Sequence, residues 1–279
     1  MMVEKEKEEK EVVEYKMEIQ ILEKDKETGK LNFLLKGINE AIANTIRRII
    51  MEEVPCLAIE EVNFIKNSSA LYDEFIAHRL GLIPLKTDLK SYTLRQECKC
   101  KEKGCSQCQL HFKLKAKDPG IVCADSLKSR DPKAKPVYPK MPIVKLLKNQ
   151  ELEFEATAIL GQGKDHSKFS PGLIFYKAYP EIKIGNCKTP EICAAQCPVK
   201  ILVVENKKIK VINTEKCILC KACEDYCTDK AIKITGSKED FIFTIESWGQ
   251  LTPKEMIFEA IDIFDKKLDE LNKQINKLK

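Results

Sequence analysis

The sequence predicts an α+β chain whose first and last segments build one discontinuous domain around two insertions. Three observations carry this. Apolar residues alternate with period two near both ends, they recur at helical spacing directly after the first alternating segments and again at the C-terminus, and a dense set of cysteines lies between. The 279 residues suit about two domains of ordinary size, and a 43% hydrophobic content can fill their cores.

Residues 1–13 alternate charges with almost nothing apolar and are expected to be a flexible arm. Tyr15, Met17, Ile19 and Ile21 then alternate with Lys16, Glu18 and Gln20 as in a half-buried strand. Leu31, Phe33 and Leu35 repeat the pattern after the turn residues KDKETGK, which makes a hairpin. Ile38, Ile42, Ile46 and Ile49 recur at helical spacing through residues 38–53, and Pro55 follows the helix end. A mixed region spans about 57–179. Within the cysteine-rich segment that follows, ILVVENKKIKVIN reads as a hairpin turning at 205–208. Phe241, Phe243 and Ile245 share one strand face, returning a partner strand to the first hairpin.

The last helix has the most explicit start. Thr252, Pro253 and Glu255 supply an N-cap, a first-turn proline and a capping-box partner. Ile257, Ile261, Phe264, Leu268, Leu271, Ile275 and Leu278 then step by fours and threes, the heptad spacing that keeps one apolar seam along a helix. Asp262, Lys266, Asp269, Lys273 and Lys277 take the other side. At 1.5 Å per residue the seam runs about 30 Å, more than a small sheet needs to cover itself. It predicts a partner helix from another chain; a helix packed on its own domain is the alternative.

No apolar run approaches the roughly 18 residues of a membrane span, and the start MMVEKEKEEKE lacks the apolar centre of a signal peptide, so a soluble, cytoplasmic chain is expected. In a reduced compartment, thirteen cysteines, eleven of them in short clusters, read as metal ligands and not disulfides. Cys56 and Cys123 fall outside the clusters and are expected as buried small apolar residues. The net charge of +5 is uneven: residues 99–148 hold thirteen Lys or Arg against four acids. Apart from Tyr138, aromatics do not interleave the stretch 126–140, so a solvated basic loop is expected ahead of a nucleic-acid surface.

Cys217, Cys220, Cys223 and Cys227 have the CxxCxxCxxxC spacing with which bacterial-type ferredoxins wrap an iron-sulfur cluster. Cys187, Cys193 and Cys197, followed by Pro198, fit the same template with Pro190 in place of its second cysteine. In two-cluster ferredoxins the fourth cysteine of each run serves the other cluster. That crossing assigns Cys197, Cys217, Cys220 and Cys223 to a 4Fe-4S cluster. It leaves Cys187, Cys193 and Cys227 for a second cluster, either 3Fe-4S or 4Fe-4S. Cys98, Cys100, Cys105 and Cys108 form a separate CxCx4CxxC knot suited to a closed structural zinc site, with His111 nearby as a spare ligand. Gly161, Gly163 and His166 superficially resemble a phosphate loop, but KFSPG does not supply the helix such a loop needs. No catalytic constellation is predicted.

The runs NTIRRIIMEEVPCLAIEEVNF, SSALYDEFIAHRLGLIPL, LGQGKDHSKFSP and FTIESWGQLTPKEMIFEAIDIFDKKLDEL closely resemble the alpha-like subunit family of archaeal DNA-directed RNA polymerase, in its variety that carries an iron-sulfur domain. That family is related to the bacterial alpha subunit and to the third-largest subunit of the eukaryotic enzyme. The resemblance runs from about Tyr15 to the C-terminus. It implies a discontinuous alpha-type dimerisation domain (14–54 and 238–279), an inserted mixed α/β domain (55–182) with the zinc loop at 98–108, and an inserted ferredoxin-like iron-sulfur domain (183–237). It further implies a non-catalytic assembly platform within the nucleotidyl-transferring polymerase, heterodimerising with subunit L and docking subunits N and P and the second-largest catalytic subunit. Under that resemblance Ile42, Ile46, Arg47, Arg48, Ile257, Ile261, Phe264, Leu268, Leu271 and Ile275 are partner-binding candidates. Arg47, Arg48, His78 and Arg79 in the matching motifs are either intersubunit contacts or ordinary paired surface residues. The alternative from another class is a ferredoxin-like electron-transfer subunit of an oxidoreductase, which the cysteine runs alone would favour.

Overall fold

The protein is described by a computed structural model over residues 17–25 and 27–278; the expected arm at 1–13 and Tyr15 lie outside the described residues. In chain order the elements are β1 (Glu18–Asp25), β2 (Lys30–Lys36), α1 (Glu40–Glu52), β3 (Cys56–Asn67), α2 (Asp73–Gly81), β4 (Gln109–Ala116), β5 (Gly120–Cys123), β6 (Lys128–Ser129), β7 (Pro142–Leu146), β8 (Leu152–Gly161), β9 (Gly172–Ile184), α3 (Pro190–Ala195), β10 (Leu202–Glu205), β11 (Lys208–Val211), α4 (Ala222–Asp225), β12 (Ile232–Ser247) and α5 (Pro253–Asn276). Two four-stranded sheets, ordered β1-β2-β12-β9 and β3-β8-β4-β6, are accompanied by the small pairs β5-β7 and β10-β11. The mixture of sheets and helices is that of an α+β chain. The described residues divide into two compact units, one of 17–21, 33–43 and 177–242, the other of 22–25, 27–32, 44–176 and 243–278.

β12 returns to sit beside β2 although about two hundred residues intervene, so the N-terminal hairpin gains its third strand from the end of the chain. β1 departs from expectation. Met17, Ile19 and Ile21 are 55%, 60% and 62% exposed, where a half-buried strand was expected, because β1 is the sheet's edge and their face is uncovered among the described residues. The helix expected over 38–53 begins at Glu40. Asn39 caps it, its side chain accepting the Ile42 N–H at 2.9 Å, which puts the buried Ile38 ahead of the helix. Ala43, Ile49 and Ile50 turn inward, whereas Ile42 and Ile46 stay partly open.

In the larger unit, β8 pairs antiparallel with β3 and β4, and its alternation places Leu152, Phe154, Ala156, Ala158 and Leu160 on one buried face. Leu110, Phe112 and Leu114 of β4 and Ile76 and Leu80 of α2 complete that core. The glycine-bearing loop after β8 terminates α1 and cradles no phosphate. Lys164 N–H donates to the Glu52 carbonyl at 2.9 Å, and the Gln162 side-chain amide donates to the Glu53 carbonyl at 2.8 Å. These bonds satisfy carbonyls that a helix end leaves unpaired. Gly163 is required there, since a Cβ would collide with the Met51 carbonyl oxygen.

In the smaller unit, the core is Ile201, Leu202, Ile232 and Ile234 together with Cys193, Cys197, Cys217, Cys223 and Cys227. Half of that interior is thiol, so little apolar area is left to hold the segment by itself. The hairpin β10-β11 turns on Asn206 and Lys207, both left-handed (φ 51° and 58°), the geometry a two-residue hairpin turn demands. Among the described residues no helix is long and apolar enough to cross a membrane.

Candidate metal centres and an uncovered helix face

The knot at 98–108 sits between a short 3-10 turn, Arg95–Glu97, and the start of β4. Lys101, Glu102 and Gly104 all adopt left-handed backbone (φ 53°, 63° and 83°), so the loop doubles back and directs four thiols inward. Sulfur separations are 3.6 Å for Cys98 and Cys105, 3.6 Å for Cys100 and Cys108, and 3.9 Å for Cys105 and Cys108. Four sulfurs about 2.3 Å from one tetrahedral zinc would stand about 3.8 Å apart, so the donor set fits a closed zinc site. The Cys105 N–H also donates to the Cys108 sulfur at 3.3 Å. Hydrogen bonds, the Cys100 backbone N–H first among them, bring the Cys98 thiol down to about 6, while burial pushes Cys108 up to about 12. Such a set sheds its remaining protons when a cation binds. His111 is engaged elsewhere, its Nδ1 lying 3.2 Å from the Thr157 hydroxyl.

The seven cysteines of the smaller unit fall into two groups. Cys187, Cys193 and Cys227 converge, all three sulfurs lying within 4.8 Å of one another and Cys187 and Cys193 at 3.4 Å. Cys217, Cys220 and Cys223 face Cys197 from a loop in which Leu219 and Lys221 are left-handed (φ 57° and 60°). Burial, reinforced by the neighbouring charges of Cys197, Cys220 and Cys217, pushes the Cys223 thiol up to about 11. Among the described residues, only the knot and the Cys187 group bring three or more such ligand atoms within 4.8 Å; Cys197, Cys217, Cys220 and Cys223 are spread more widely. Three of these thiols, Cys197, Cys217 and Cys223, are buried and Cys220 is exposed; four thiols so spread, with the Leu219 N–H donating to the Cys217 sulfur at 3.4 Å, fit a cluster whose thiolates bind different irons. Sequence reasoning missed Lys177 of β9, whose ammonium donates to the carbonyls of Glu215 and Cys217, both at 2.7 Å, and anchors this loop. Burial lowers its pKa. No local signal announces a contact made across forty residues.

Helix α5 opens with the full capping box: the Glu255 N–H donates to the Thr252 hydroxyl, and the Glu255 carboxylate accepts the Thr252 N–H at 2.8 Å. Met256 and Ala260 are its buried side chains, at 0% and 2% exposure. The seam lies elsewhere. Ile261, Leu268, Leu271 and Ile275 are 43%, 43%, 51% and 45% exposed, and Ile257 and Phe264 are half-buried. From Asp265 to the end of the helix every residue is exposed, although Lys267 ion-pairs with Glu53. On α1, Asn44 accepts the Arg47 guanidinium at 2.9 and 3.1 Å, and Arg48 pairs with Glu52 at 3.0 Å on the exposed surface. His78 is exposed, and the Arg79 guanidinium donates to the Pro142 carbonyl at 2.8 Å.

Residues 58–175 match the RNA polymerase Rpb3/RpoA insert domain, and residues 210–233 match a 4Fe-4S binding domain. Over the whole length the chain is similar to DNA-directed RNA polymerase subunit Rpo3 of Methanosphaera stadtmanae (41% identity, over 93% of this chain and 99% of the relative). It is likewise similar to the Rpo3 of Methanosarcina acetivorans (41%, over 91% and 97%) and of Pyrococcus furiosus (36%, over 94% and 98%).

Proposed function

We infer the role of this chain from its family: it belongs to the archaeal Rpo3 subunits of DNA-directed RNA polymerase, relatives of alpha and Rpb3, and is a component of the transcription machinery. Within it we propose that this chain is a non-catalytic platform on which the enzyme assembles, nucleotidyl transfer being carried by other chains. The observation that supports this most is the uncovered seam of α5, an apolar ridge with charged flanks continuing past the last buried residue. Isolated soluble chains rarely leave so continuous a ridge wet, and it has the periodicity of a helix-pairing surface.

The partner is the smaller alpha-like subunit, L, meeting Ile257, Ile261, Phe264, Leu268, Leu271 and Ile275 of α5 together with the open side of α1 at Ile42 and Ile46. Arg48, exposed beside Glu52, borders that surface, whereas Arg47 is already engaged by Asn44. Subunits N and P and the second-largest catalytic subunit dock on the remainder, and the site of action is the cytoplasm. The architecture proposed for this role is the discontinuous dimerisation domain, 14–54 with 238–279, carrying the insertions at 55–182 and 183–237.

The metal centres hold these insertions in shape. Cys98, Cys100, Cys105 and Cys108 would bind structural zinc, closing a loop with no core of its own. Cys197, Cys217, Cys220 and Cys223 would hold one 4Fe-4S cluster, with Lys177 fixing the carbonyl end of their loop. An iron-sulfur cluster could serve electron transfer, but family membership favours the polymerase reading over an oxidoreductase subunit. Anaerobic copurification of the tagged chain tests this. Recovery of subunit L and polymerase subunits is expected, and recovery of a redox enzyme instead would overturn it.

A further inference from the structure

We propose that Cys187, Cys193 and Cys227 bind a single thiophilic divalent cation, zinc(II), and not a second iron-sulfur cluster. The case rests on how close the three sulfurs lie. In a cluster each terminal thiolate takes a different iron, and bridging sulfides separate the irons, so the thiolates must straddle the whole inorganic core. Around one ion they share a centre, and a zinc-sulfur distance of about 2.3 Å places them about 3.8 Å apart. Cys187 and Cys193 are 3.4 Å apart, and all three sulfurs lie within 4.8 Å.

The same chain supplies both comparisons. The knot at 98–108, with sulfurs 3.6 to 3.9 Å apart, satisfies the same convergence, whereas Cys197, Cys217, Cys220 and Cys223 do not. The three thiols therefore have the geometry of the mononuclear knot, although Cys227 belongs to a run that matches a 4Fe-4S binding domain.

The neighbourhood explains the contraction. Pro190 stands buried at the first turn of α3, where a cluster-binding run would carry its second cysteine, so no thiol reaches out from that side. The Asp229 carboxylate accepts the Lys188 N–H at 2.7 Å, stapling the loop after β9 that carries Cys187 to the loop that carries Cys227. The Ala231 N–H donates to the Cys227 sulfur at 3.3 Å, holding that donor in place. Cys193 and Cys227 are buried and Cys187 is partly open, which leaves a water molecule for the fourth position. Three soft donors select a thiophilic ion, and zinc accepts three thiolates and water without a geometric penalty.

The test is metal and acid-labile sulfide content of the full-length chain purified without oxygen, and it does not depend on the chain's place in polymerase. The expected content is about two zinc and about four iron with about four sulfide per chain. Cys187→Ser should lower zinc to about one and leave iron and sulfide unchanged, while Cys217→Ser should remove iron and sulfide and leave zinc. Loss of iron and sulfide in Cys187→Ser, or no change in any metal, would overturn the proposal. Should Cys187→Ser prove insoluble, cobalt(II) substituted into the wild-type chain decides. Thiolate-to-cobalt absorption from two ions per chain is expected, and absorption from the knot alone would refute the site.

Discussion

Replacing Leu268, Leu271 and Ile275 together by alanine separates a seam that awaits a partner from one that serves this chain. Each side chain is about half exposed. Full burial of a leucine or isoleucine contributes roughly 1.5–3 kcal/mol, so about 1 kcal/mol per residue is still to be gained when a partner covers the ridge. Three truncations should cost about 3 kcal/mol of association, weakening the complex with subunit L about 100-fold. The free chain should scarcely notice, because exposed substitutions stay within about 0.5 kcal/mol each and alanine favours the helix. Met256→Ala is the control: its side chain is fully buried, and its removal should destabilise the free chain by about 2–5 kcal/mol. Calorimetric titration with subunit L and thermal unfolding of the free chain measure the two quantities. The reasoning is refuted if the triple variant binds within about threefold of wild type, or if its free chain unfolds as readily as Met256→Ala.

Three further outcomes follow from the larger unit. Gly163→Ala should destabilise by at least about 1–3 kcal/mol in a thermal melt, since the new methyl meets the Met51 carbonyl and neither backbone can retreat. Removing zinc with a chelator should speed amide exchange throughout 98–108 while β4 beyond Leu110 stays protected by its ladder to β8. The ammonium of Lys133, with help from Ser91 and the Lys90 N–H, holds the Asp88 carboxylate at about 2. Because the folded pKa is depressed, the stabilisation is present above the ordinary carboxylate range and is lost as pH falls towards 2. Lys133→Ala should raise the Asp88 pKa in an NMR titration while costing less than about 1 kcal/mol at neutral pH, the pair being solvent-exposed on its lysine side.

What was legible in the sequence was what neighbouring residues decide. The Thr252–Glu255 box starts its helix through bonds made within one turn, and the β10-β11 hairpin turns within the expected 205–208 by local backbone preference. The spacing of the cysteine runs constrains loops of a few residues, whereas the convergence of Cys227 with Cys187 and Cys193 crosses between runs and was reached only through the two-cluster ferredoxin pattern. What was not legible depends on which surface meets which. The heptad seam of α5 is periodic, but that Met256 and Ala260, and not the seam, turn towards the protein is set by tertiary packing. β1 alternates as a half-buried strand does, yet its edge position leaves Met17, Ile19 and Ile21 in water. Gly163 resembles part of a phosphate loop until the Met51 carbonyl, more than a hundred residues earlier, is found against it. The stretches QLHFKLKA and LEFEATAIL carry plain strand alternation, but nothing local states that they pair with each other.

Hydrogen exchange over residues 265–278, followed in the free chain and in the complex with subunit L, tests the central claim most directly. Rapid exchange in the free chain and strong protection in the complex is the predicted result. Equal exchange in both states would mean that the ridge meets no partner, and would contradict the platform role.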